Sequence, residues 1–277
     1  MNADAGELGD TRPESAEAVA AIGAETADEW FRAGVATETK GEVDRVVDPG
    51  DVVTVADREA QAACLRVIDD AFPDDTVVAE EEDAPKELPD SGNVWVIDPI
   101  DGTYNFVRGL PTWATAVAVV ADGETVAAAT DAPALGERYV ARESVTLNGT
   151  SVTVSEREAP ETFAVAYSVV PNYGDRSSYA AGVAELIERF GATRRVGSLQ
   201  VVLGRVAAGT IEGALTPLTP NPWDSVAGVH MVRAAGGVIT DIYGEPWQPD
   251  SEGLVASNGS AHDELLAVAQ RMAGKQA

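Results

Sequence analysis

The sequence predicts a layered fold of mixed α+β and α/β character, and two observations support this prediction. In the first half, short apolar runs are separated by Asp122-Gly123 and Asn148-Gly149, dipeptides that strongly favour antiparallel hairpins. After about residue 155, strand-like runs alternate with helical patterns, which is typical of α/β organisation. We therefore expect an N-terminal half over residues 1–155, a C-terminal half over residues 156–277, and one site shared between them.

Apolar periodicity predicts the elements of the first half in order. A first helix covers residues 14–33 with Gly34 as a stop, and a second begins near Ala56. Phe72-Pro73 ends the second helix, because the residue before a proline disfavours helical geometry. The predicted strands of this half cover residues 76–79, 94–97, 113–120, 125–130, 144–147 and 151–154.

In the second half, three predicted helices lie between predicted strands, and a fourth follows the last strand. Gly209 and Gly236-Gly237 are expected to end two of these helices, since glycine readily takes the left-handed conformation found there. The predicted helices cover residues 179–190 and 198–208, a segment from Trp223 onward, and the C-terminal end. The predicted strands cover residues 163–170, 193–196, 211–215, 238–242 and 254–256.

The composition limits the classes of partner and location. The chain has 277 residues, 45% of them hydrophobic, which is enough for one large domain or two packed halves. With 46 acidic and 19 basic residues, the net charge of −27 should repel nucleic acids and anionic membranes. No apolar run is long enough for a membrane span, no secretory signal is evident, and a single cysteine excludes a disulfide framework. We expect a cytoplasmic protein, and the dispersed acids with few lysines indicate a salt-accumulating halophile.

Residues 95–106, WVIDPIDGTYNF, carry the most informative motif. Pro99 bars helical geometry, so that Asp98 and Asp101 can converge from a tight turn at the end of a buried strand. Two carboxylates held close together repel each other unless a cation or a proton lies between them. Hard dications with oxygen ligands fit this arrangement. The alternative interpretation is a capped turn, in which Asp, Gly and Thr are common.

Three further acidic positions favour the metal interpretation. Asp57 follows the apolar run VVTVA, Glu80 follows VVA, and Asp224 lies in PNPWDSVAG. Two of them have an ordinary alternative: Asp224 suits the first turn of a helix, and residues 80–83 form an acidic run that solvent could cover. Acidic side chains at four element ends beside buried sequence fit a shared metal site better.

Gly102 and Thr103 suggest what the metal site acts on. The chain turns helical after them, and free N–H groups at a helix start bind phosphate. Metal-ligating acids beside an anion-binding site indicate metal-assisted phosphoryl transfer to water. His230 and His262 lie on predicted helices and are interpreted as packing or surface residues.

The segments VADRE, VVAEEED, WVIDPIDGTYNF and PWDSVAG, in this order, resemble the inositol monophosphatase family. This superfamily of magnesium-dependent, lithium-sensitive phosphatases includes hydrolases of inositol phosphates, fructose-1,6-bisphosphate and nucleotide 3′-phosphates. The resemblance covers about residues 14–270. It implies an α-β-α-β-α sandwich, two or three Mg²⁺ ions per site, and a homodimer.

The resemblance also implies a ligand set. A first magnesium would be held by Glu80, Asp98 and the carbonyl of Ile100, and a second by Asp98, Asp101 and Asp224. Glu80 and Thr103 would orient the attacking water, and Asp57 would support Thr103 or a water molecule on the first metal.

The substrate side is predicted from the same resemblance. The backbone N–H groups of Gly102 and Thr103 would bind the phosphate. Arg195 and Ser198 lie where the family approaches its substrate, and they either meet a second phosphate or belong to the cap of the following helix.

Two departures limit the assignment of a substrate. Tyr104 replaces the family's second threonine, and Pro217 stands where inositol-specific members have an acid. We expect a magnesium-dependent phosphomonoesterase acting on a small phosphorylated polyol or sugar, with inositol-1-phosphate first and fructose-1,6-bisphosphate as the alternative. Weaker alternatives are 3′-phosphoadenosine 5′-phosphate as the substrate, or a non-catalytic metal-binding regulatory member of the family.

Overall fold

A computed structural model of the protein describes residues 11–33, 37–39, 52–81, 84–167 and 176–275. The helices in these ranges are α1 (Arg12–Asp28), α2 (Val55–Ala71), α3 (Thr103–Val107), α4 (Arg176–Arg189), α5 (Leu199–Ala207), α6 (Pro222–Ala234) and α7 (His262–Met272). The strands of the first half are β1 (Thr37–Thr39), β2 (Val52–Thr54), β3 (Thr76–Ala79), β4 (Asn93–Asp101), β5 (Ala114–Ala121), β6 (Glu124–Ala132), β7 (Glu137–Ala141), β8 (Val145–Leu147) and β9 (Thr150–Val152). Those of the second half are β10 (Ala164–Tyr167), β11 (Ala192–Arg194), β12 (Gly213–Thr216), β13 (Val238–Thr240) and β14 (Leu254–Ser257).

The strands form two main sheets. The first has seven strands in the order β3-β4-β5-β6-β7-β8-β9, and only β3 and β4 pair in parallel. The second has five strands in the order β11-β10-β12-β14-β13, with β14 antiparallel to both of its neighbours. A small antiparallel pair, β1 and β2, lies apart from both sheets.

The helices pack between and outside the sheets in five layers. Helices α1 and α2 cover one face of the seven-stranded sheet, and α6 with α5 covers the other. The same central helices contact the five-stranded sheet, whose outer face is covered by α7 and α4. The predicted α-β-α-β-α sandwich is therefore confirmed.

Strand β4 shows why the first sheet is buried on both faces. Trp95 and Ile97 pack into the core beneath α1 and α2, whereas Val94 and Val96 pack into the core beneath α5 and α6. Successive strand residues point to opposite faces, so a strand covered on both sides must be apolar throughout. By the same alternation, Asp98 faces the central helical layer.

Most predicted elements are confirmed within a few residues, two predicted bounds need correction, and one strand of the seven-stranded sheet was missed. The strand expected to end at Ile97 runs on to Asp101, because the chain stays paired with β5 through an irregularity. Helix α1 ends at Asp28 rather than at residue 33. Strand β7 was not predicted, because its ERYVA sequence gives only a short apolar signal between charged residues. Gly34 and residues 168–170, expected at a helix stop and in a strand, lie outside the described residues.

Both predicted hairpin turns are confirmed. Asp122 and Gly123 have φ of 49° and 84°, and Asn148 and Gly149 have φ of 49° and 77°. Two consecutive positive φ angles are what the tight hairpin turn requires, and Asn, Asp and Gly tolerate them best.

The division into halves at residue 155 stays a prediction. The change from one sheet to the other falls between Val152 and Ala164, close to the predicted boundary. However, one apolar core in the central layer contains residues of both halves. In the described ranges, no helix combines the length and apolarity that a membrane crossing needs.

Candidate active site

A bulge in β4 places two acidic side chains on one face of the sheet. Asp98 pairs with Ala116 and Asp101 with Ala114, so three steps along β4 match two steps along β5. Without the extra residue, positions 98 and 101 would point to opposite faces, because the side-chain period of a strand is two. The side-chain hydroxyl of Thr115 donates to the carbonyl of Pro99 at 2.7 Å inside this bulge. The convergence predicted from a tight turn is thus produced within a continuing strand.

The beginning of α5 holds Asp101. Its Oδ2 atom accepts hydrogen bonds from the Ser198 hydroxyl at 2.6 Å and from the Gln200 N–H at 2.6 Å, and its Oδ1 atom accepts from the Leu199 N–H at 3.3 Å. The first N–H groups of a helix lack intrahelical acceptors and favour negative charge. Ser198 also caps this helix, since its Oγ accepts from the N–H of Val201 at 3.2 Å. The second half of the chain therefore orients an acid of the first half.

Asp57 is built into the beginning of α2. Its Oδ2 accepts from the N–H and the hydroxyl of Thr54, at 2.8 Å and 2.5 Å. Thr54 in turn caps the helix by accepting from the N–H groups of Ala56 and Asp57. The other oxygen of Asp57 lies 3.1 Å from the hydroxyl of Thr103, which is also 3.0 Å from the carbonyl of Ile100. The predicted pair of Asp57 and Thr103 is therefore in hydrogen-bonding contact.

Asp224 reaches the same place from α6. It is the third residue of the helix, and its Oδ2 accepts from the side-chain amide of Asn221 at 2.8 Å and from the Asn221 N–H at 3.3 Å. The ordinary interpretation of Asp224 as an acid of the first helical turn is thus confirmed, and its side chain completes a capping box with Asn221. Carboxylate oxygens of Asp98, Asp101 and Asp224 lie within 4.8 Å of one another.

Glu80 follows β3 at the edge of this cluster. The backbone beside it is held by the side chain of Gln61 on α2, whose amide bonds both the N–H and the carbonyl of Glu81, at 2.8 Å and 2.9 Å. The Lys86 ammonium donates to the carbonyls of Ala79 and Glu80, both at 2.8 Å, and lies 5.3 Å from the centre of the Trp223 ring. These contacts place the end of β3 beside the beginning of α6.

Burial dominates the electrostatics of the cluster. It raises the pKa of Asp57 and Asp101 to about 6 each, and that of Asp224 to about 7. The pKa of Asp98 is raised well above its ordinary value, first by burial and then by repulsion from Glu80, Asp101 and Asp224. The hydrogen bonds from α5 oppose the rise at Asp101, as those from Asn221 do at Asp224. Four carboxyl groups in one buried place cannot all ionise without a compensating charge.

The donor set fits a divalent metal ion. Both oxygens of Asp98 are buried and neither accepts a hydrogen bond within the described parts of the chain. Among those residues, no ion pair reaches Asp98, Asp101 or Asp224. Closely spaced, uncompensated carboxylates are the ligands that hard cations prefer.

Gly102 is required for two structural reasons. Its φ is 96°, a conformation that residues with a Cβ rarely adopt, and it begins the short helix α3. A Cβ there would lie 3.0 Å from the carbonyl oxygens of both Gly197 and Thr112. The prediction that this glycine makes room for a phosphate remains a prediction.

The residues expected on the substrate side are only partly brought to the site. Ser198 is buried and engaged with Asp101, so its capping role is observed and a direct substrate contact stays a prediction. Arg195 is exposed, and its guanidinium interacts with the hydroxyl of Tyr179. Tyr104 is half-buried beneath the guanidinium of Arg108, at 4.5 Å from its ring centre, and Pro217 is buried just after β12.

Both histidines lie on helices away from the acidic cluster, as predicted. His230 bonds to the carbonyl of Arg142 at 3.1 Å, and His262 lies between the hydroxyls of Thr240 and Ser257, at 2.9 Å and 2.8 Å. Burial lowers the pKa of each.

Several positioning residues were not predicted from the sequence. The T-x-x-D pattern of Thr54 and Asp57 is a recognisable capping box and could have been found. Gln61, Asn105 and Gln200 carry no comparable local signal, because each of them bonds to a backbone group 20 or more residues away.

Comparison with known proteins agrees with this geometry. The model of the Inositol monophosphatase family matches residues 11–274. The fructose-1,6-bisphosphatase/inositol-1-monophosphatase of Thermotoga maritima is 37% identical over 224 residues, which cover 79% of this chain and 82% of the relative. The Nus factor SuhB of Escherichia coli is 32% identical over 220 residues, covering 78% of this chain and 82% of that protein.

The solved structures lead to the same family. The structure of an IMPase from Thermotoga maritima superposes with a TM-score of 0.81 at 31% identity, covering 92% of this chain and 95% of the other. Members of the family are metal-dependent phosphatases that hydrolyse phosphomonoesters, and the acidic cluster described above is what that chemistry needs. The chain therefore belongs to the inositol monophosphatase family and is a phosphomonoesterase of that family.

Proposed function

We propose that the protein is a magnesium-dependent phosphatase whose preferred substrate is inositol-1-phosphate or a closely similar polyol phosphate. The observation that carries this proposal is Asp98, a fully buried carboxylate that has three acidic neighbours and accepts no hydrogen bond from any residue that the structure describes. Such a group is stable in its charged form only beside a cation. The names of several relatives, such as the inositol-1-monophosphatase of Bacillus subtilis, support the choice of substrate.

In this proposal, two or three Mg²⁺ ions occupy the site. Glu80, Asp98 and the carbonyl of Ile100 would hold one, and Asp98, Asp101 and Asp224 would hold another. Bound magnesium would supply Lewis-acid chemistry, which lowers the pKa of water and stabilises charge on the leaving oxygen.

The remaining roles belong to side chains and backbone groups of this chain. Thr103 can donate a hydrogen bond to Asp57, which leaves lone pairs of the threonine oxygen free to accept a hydrogen bond from the attacking water. Glu80 would take the proton of that water, as a general base at the edge of the cluster. The N–H groups of Gly102 and Thr103 would bind the phosphate at the start of α3.

Fructose-1,6-bisphosphate is the second candidate, and the dual name of the Thermotoga maritima relative favours it. Exposed Arg195, one residue after Arg194, could meet the second phosphate of such a substrate. 3′-Phosphoadenosine 5′-phosphate is a weaker candidate. The last candidate is a regulatory, non-catalytic role, which is supported by the similarity to a Nus factor.

A substrate panel tests these candidates directly. Phosphate release is measured in Mg²⁺ and high KCl with inositol-1-phosphate, fructose-1,6-bisphosphate and 3′-phosphoadenosine 5′-phosphate. Asp98→Asn and Asp224→Asn serve as site controls and should each reduce release at least about 100-fold. Activity that survives both substitutions would overturn the proposed metal ligands. Magnesium-dependent melting without any phosphate release would support the regulatory role instead.

We also propose that the protein is a cytoplasmic homodimer, organised as two halves around one shared site. The resemblance to the family supports the dimer. Light scattering after size exclusion in high salt would give a mass near twice 28.8 kDa if this is correct, and cell fractionation tests the location.

A further inference from the structure

Besides Asp101, a second buried side chain of the DPIDGTYN turn bonds to the segment that begins α5. Asn105 is 6% exposed, and its Nδ2 atom donates to the carbonyl of Thr112 at 2.7 Å and to the carbonyl of Val196 at 2.8 Å. Val196 lies 91 residues further along the chain and in the second half. Asn105 is therefore a bridge between the two halves at the edge of the acidic cluster.

Two glycines make this bridge close-fitting. Gly197 has φ of 83°, and a Cβ there would lie 2.9 Å from the Nδ2 atom of Asn105. Gly102 has φ of 96°, and a Cβ there would lie 3.0 Å from the Gly197 carbonyl oxygen. Backbone meets backbone at this point, so the segment after Val196 has little freedom to shift while Asn105 holds it.

The segment held by Asn105 begins at Val196 and continues to residues that bond to Asp101, a proposed metal ligand. Gly197 is followed by Ser198, whose hydroxyl donates to Asp101, and the N–H of Gln200 donates to the same carboxylate oxygen, each at 2.6 Å. The two segments thus meet at two places: Asn105 bonds to Val196, and Asp101 bonds to Ser198 and Gln200. Without the bond from Asn105 to Val196, the orientation of Asp101 depends on its own bonds to Ser198 and Gln200.

We propose that Asn105 is a positioning residue for the metal site, acting through the Val196–Gln200 segment on Asp101. This proposal rests on the proposed function, because it assumes that Asp101 binds a divalent cation. Outer partners that orient a metal ligand commonly contribute about 10- to 100-fold to metal affinity. The expected loss for Asn105 is at the lower end, about 10-fold, since Ser198 and Gln200 remain.

The test is metal binding by the full-length protein without substrate. The Kd of Mn²⁺, as a Mg²⁺ substitute with an electron paramagnetic resonance signal, is measured for the wild type, Asn105→Ala and Asn105→Leu. Leucine keeps most of the side-chain volume but cannot donate a hydrogen bond, so both variants should bind Mn²⁺ about 10-fold more weakly.

Asn258 provides a matched control. Its side-chain amide also donates to two distant backbone carbonyls, those of Ser155 at 2.9 Å and Arg157 at 2.8 Å. Asn258→Ala should lower the melting temperature through the same kind of loss while leaving the Mn²⁺ Kd at the wild-type value. An equal weakening of Mn²⁺ binding in this control would show a general effect of stability and overturn the proposal.

A double-mutant cycle tests the route through Ser198. If Asn105 acts through that segment, the combined loss of Mn²⁺ affinity in Asn105→Ala with Ser198→Ala should be smaller than the product of the single losses. Independent, multiplicative losses, or wild-type affinity in both Asn105 variants, would refute the positioning role. A wild-type protein that binds no divalent cation would instead refute the proposed function.

Discussion

Asp98 shows at the scale of one residue how an unfavourable group marks a function. Its carboxylate is fully buried and finds no hydrogen-bond donor among the described residues, and its pKa is raised by burial and by three acidic neighbours. A residue chosen for stability alone would be apolar at this position, like Val94 and Val96 on the same face of β4. The proposed binding of a divalent cation by Asp98 would explain this cost to the folded protein.

Replacement of Asp98 by asparagine should stabilise the metal-free protein. The change removes a carboxyl group whose ionised form is opposed by burial and by acidic neighbours, and the melting temperature in EDTA should rise by about 2–4 °C for each kcal/mol gained. The stabilisation by Mg²⁺ should be largely lost. Asp250→Asn, which removes the same charge from an exposed turn, controls for the general effect of net charge. A lower melting temperature in EDTA for Asp98→Asn would contradict this account.

The raised pKa values predict how stability depends on pH. Asp57 and Asp101 titrate at about 6 and Asp224 at about 7 in the folded protein, above the value of about 3.9 for an unfolded chain. Between about pH 4 and pH 7 the folded state therefore binds more protons than the unfolded state. The free energy of unfolding of the metal-free protein should fall as pH rises through this range.

Magnesium should counteract this loss of stability at higher pH, because it binds the deprotonated carboxylates. The increase in melting temperature caused by Mg²⁺ should therefore be larger at pH 8 than at pH 5. Melting curves at four pH values, with EDTA and with Mg²⁺, measure both effects. An equal Mg²⁺ effect at all pH values would count against the cluster as the binding site.

At the scale of elements, α5 links the cluster to the seven-stranded sheet. Its beginning orients Asp101, and near its end Arg205 pairs with Glu137 of β7 at 3.1 Å. The hydroxyl of Tyr139, also on β7, donates to Glu137 at 2.8 Å, and Gly204 packs on the Tyr139 ring. The helix that carries one contact of the site is thus anchored by a polar network at its other end.

Glu137→Gln should weaken this anchor. The substitution leaves a partly buried Arg205 without its charged partner, and loss of such a bond typically costs about 1–3 kcal/mol. Urea unfolding should show a lower midpoint with an unchanged slope. Glu143→Gln, an exposed residue in the turn between β7 and β8, removes the same charge and should leave the midpoint nearly unchanged. Equal midpoints for the two variants would show that the network adds no stability.

At the scale of the whole molecule, the net charge of −27 acts on every part of the fold. Many of the acids are exposed and dispersed, so their repulsion is long-range and sensitive to ionic strength. In dilute buffer salt screens this repulsion only weakly. In 1 M salt the Debye length falls to about 3 Å, so that only neighbouring charges still repel each other. The halophile interpretation remains a prediction that this charge suggests.

The melting temperature should therefore rise with salt. Between low ionic strength and multimolar KCl, screening reduces the repulsion among carboxylates and stabilises the compact state. Tetramethylammonium chloride at equal ionic strength distinguishes screening from specific binding of K⁺. A melting temperature that does not change with KCl would count against the halophile interpretation.

The sequence by itself determined the family, the order of the acids and most helices and strands. These depend on local patterns: apolar periodicity, Asp-Gly and Asn-Gly turns, and motifs a few residues long. Tertiary structure decided how the acids are held. The β4 bulge places Asp98 and Asp101 on one face of the sheet. The N–H groups at the start of α5 bond to Asp101, and Asn105 bonds to Val196 in the segment that precedes α5. These contacts join residues up to 99 positions apart, and local periodicity contains no information about which distant backbone a side chain will meet.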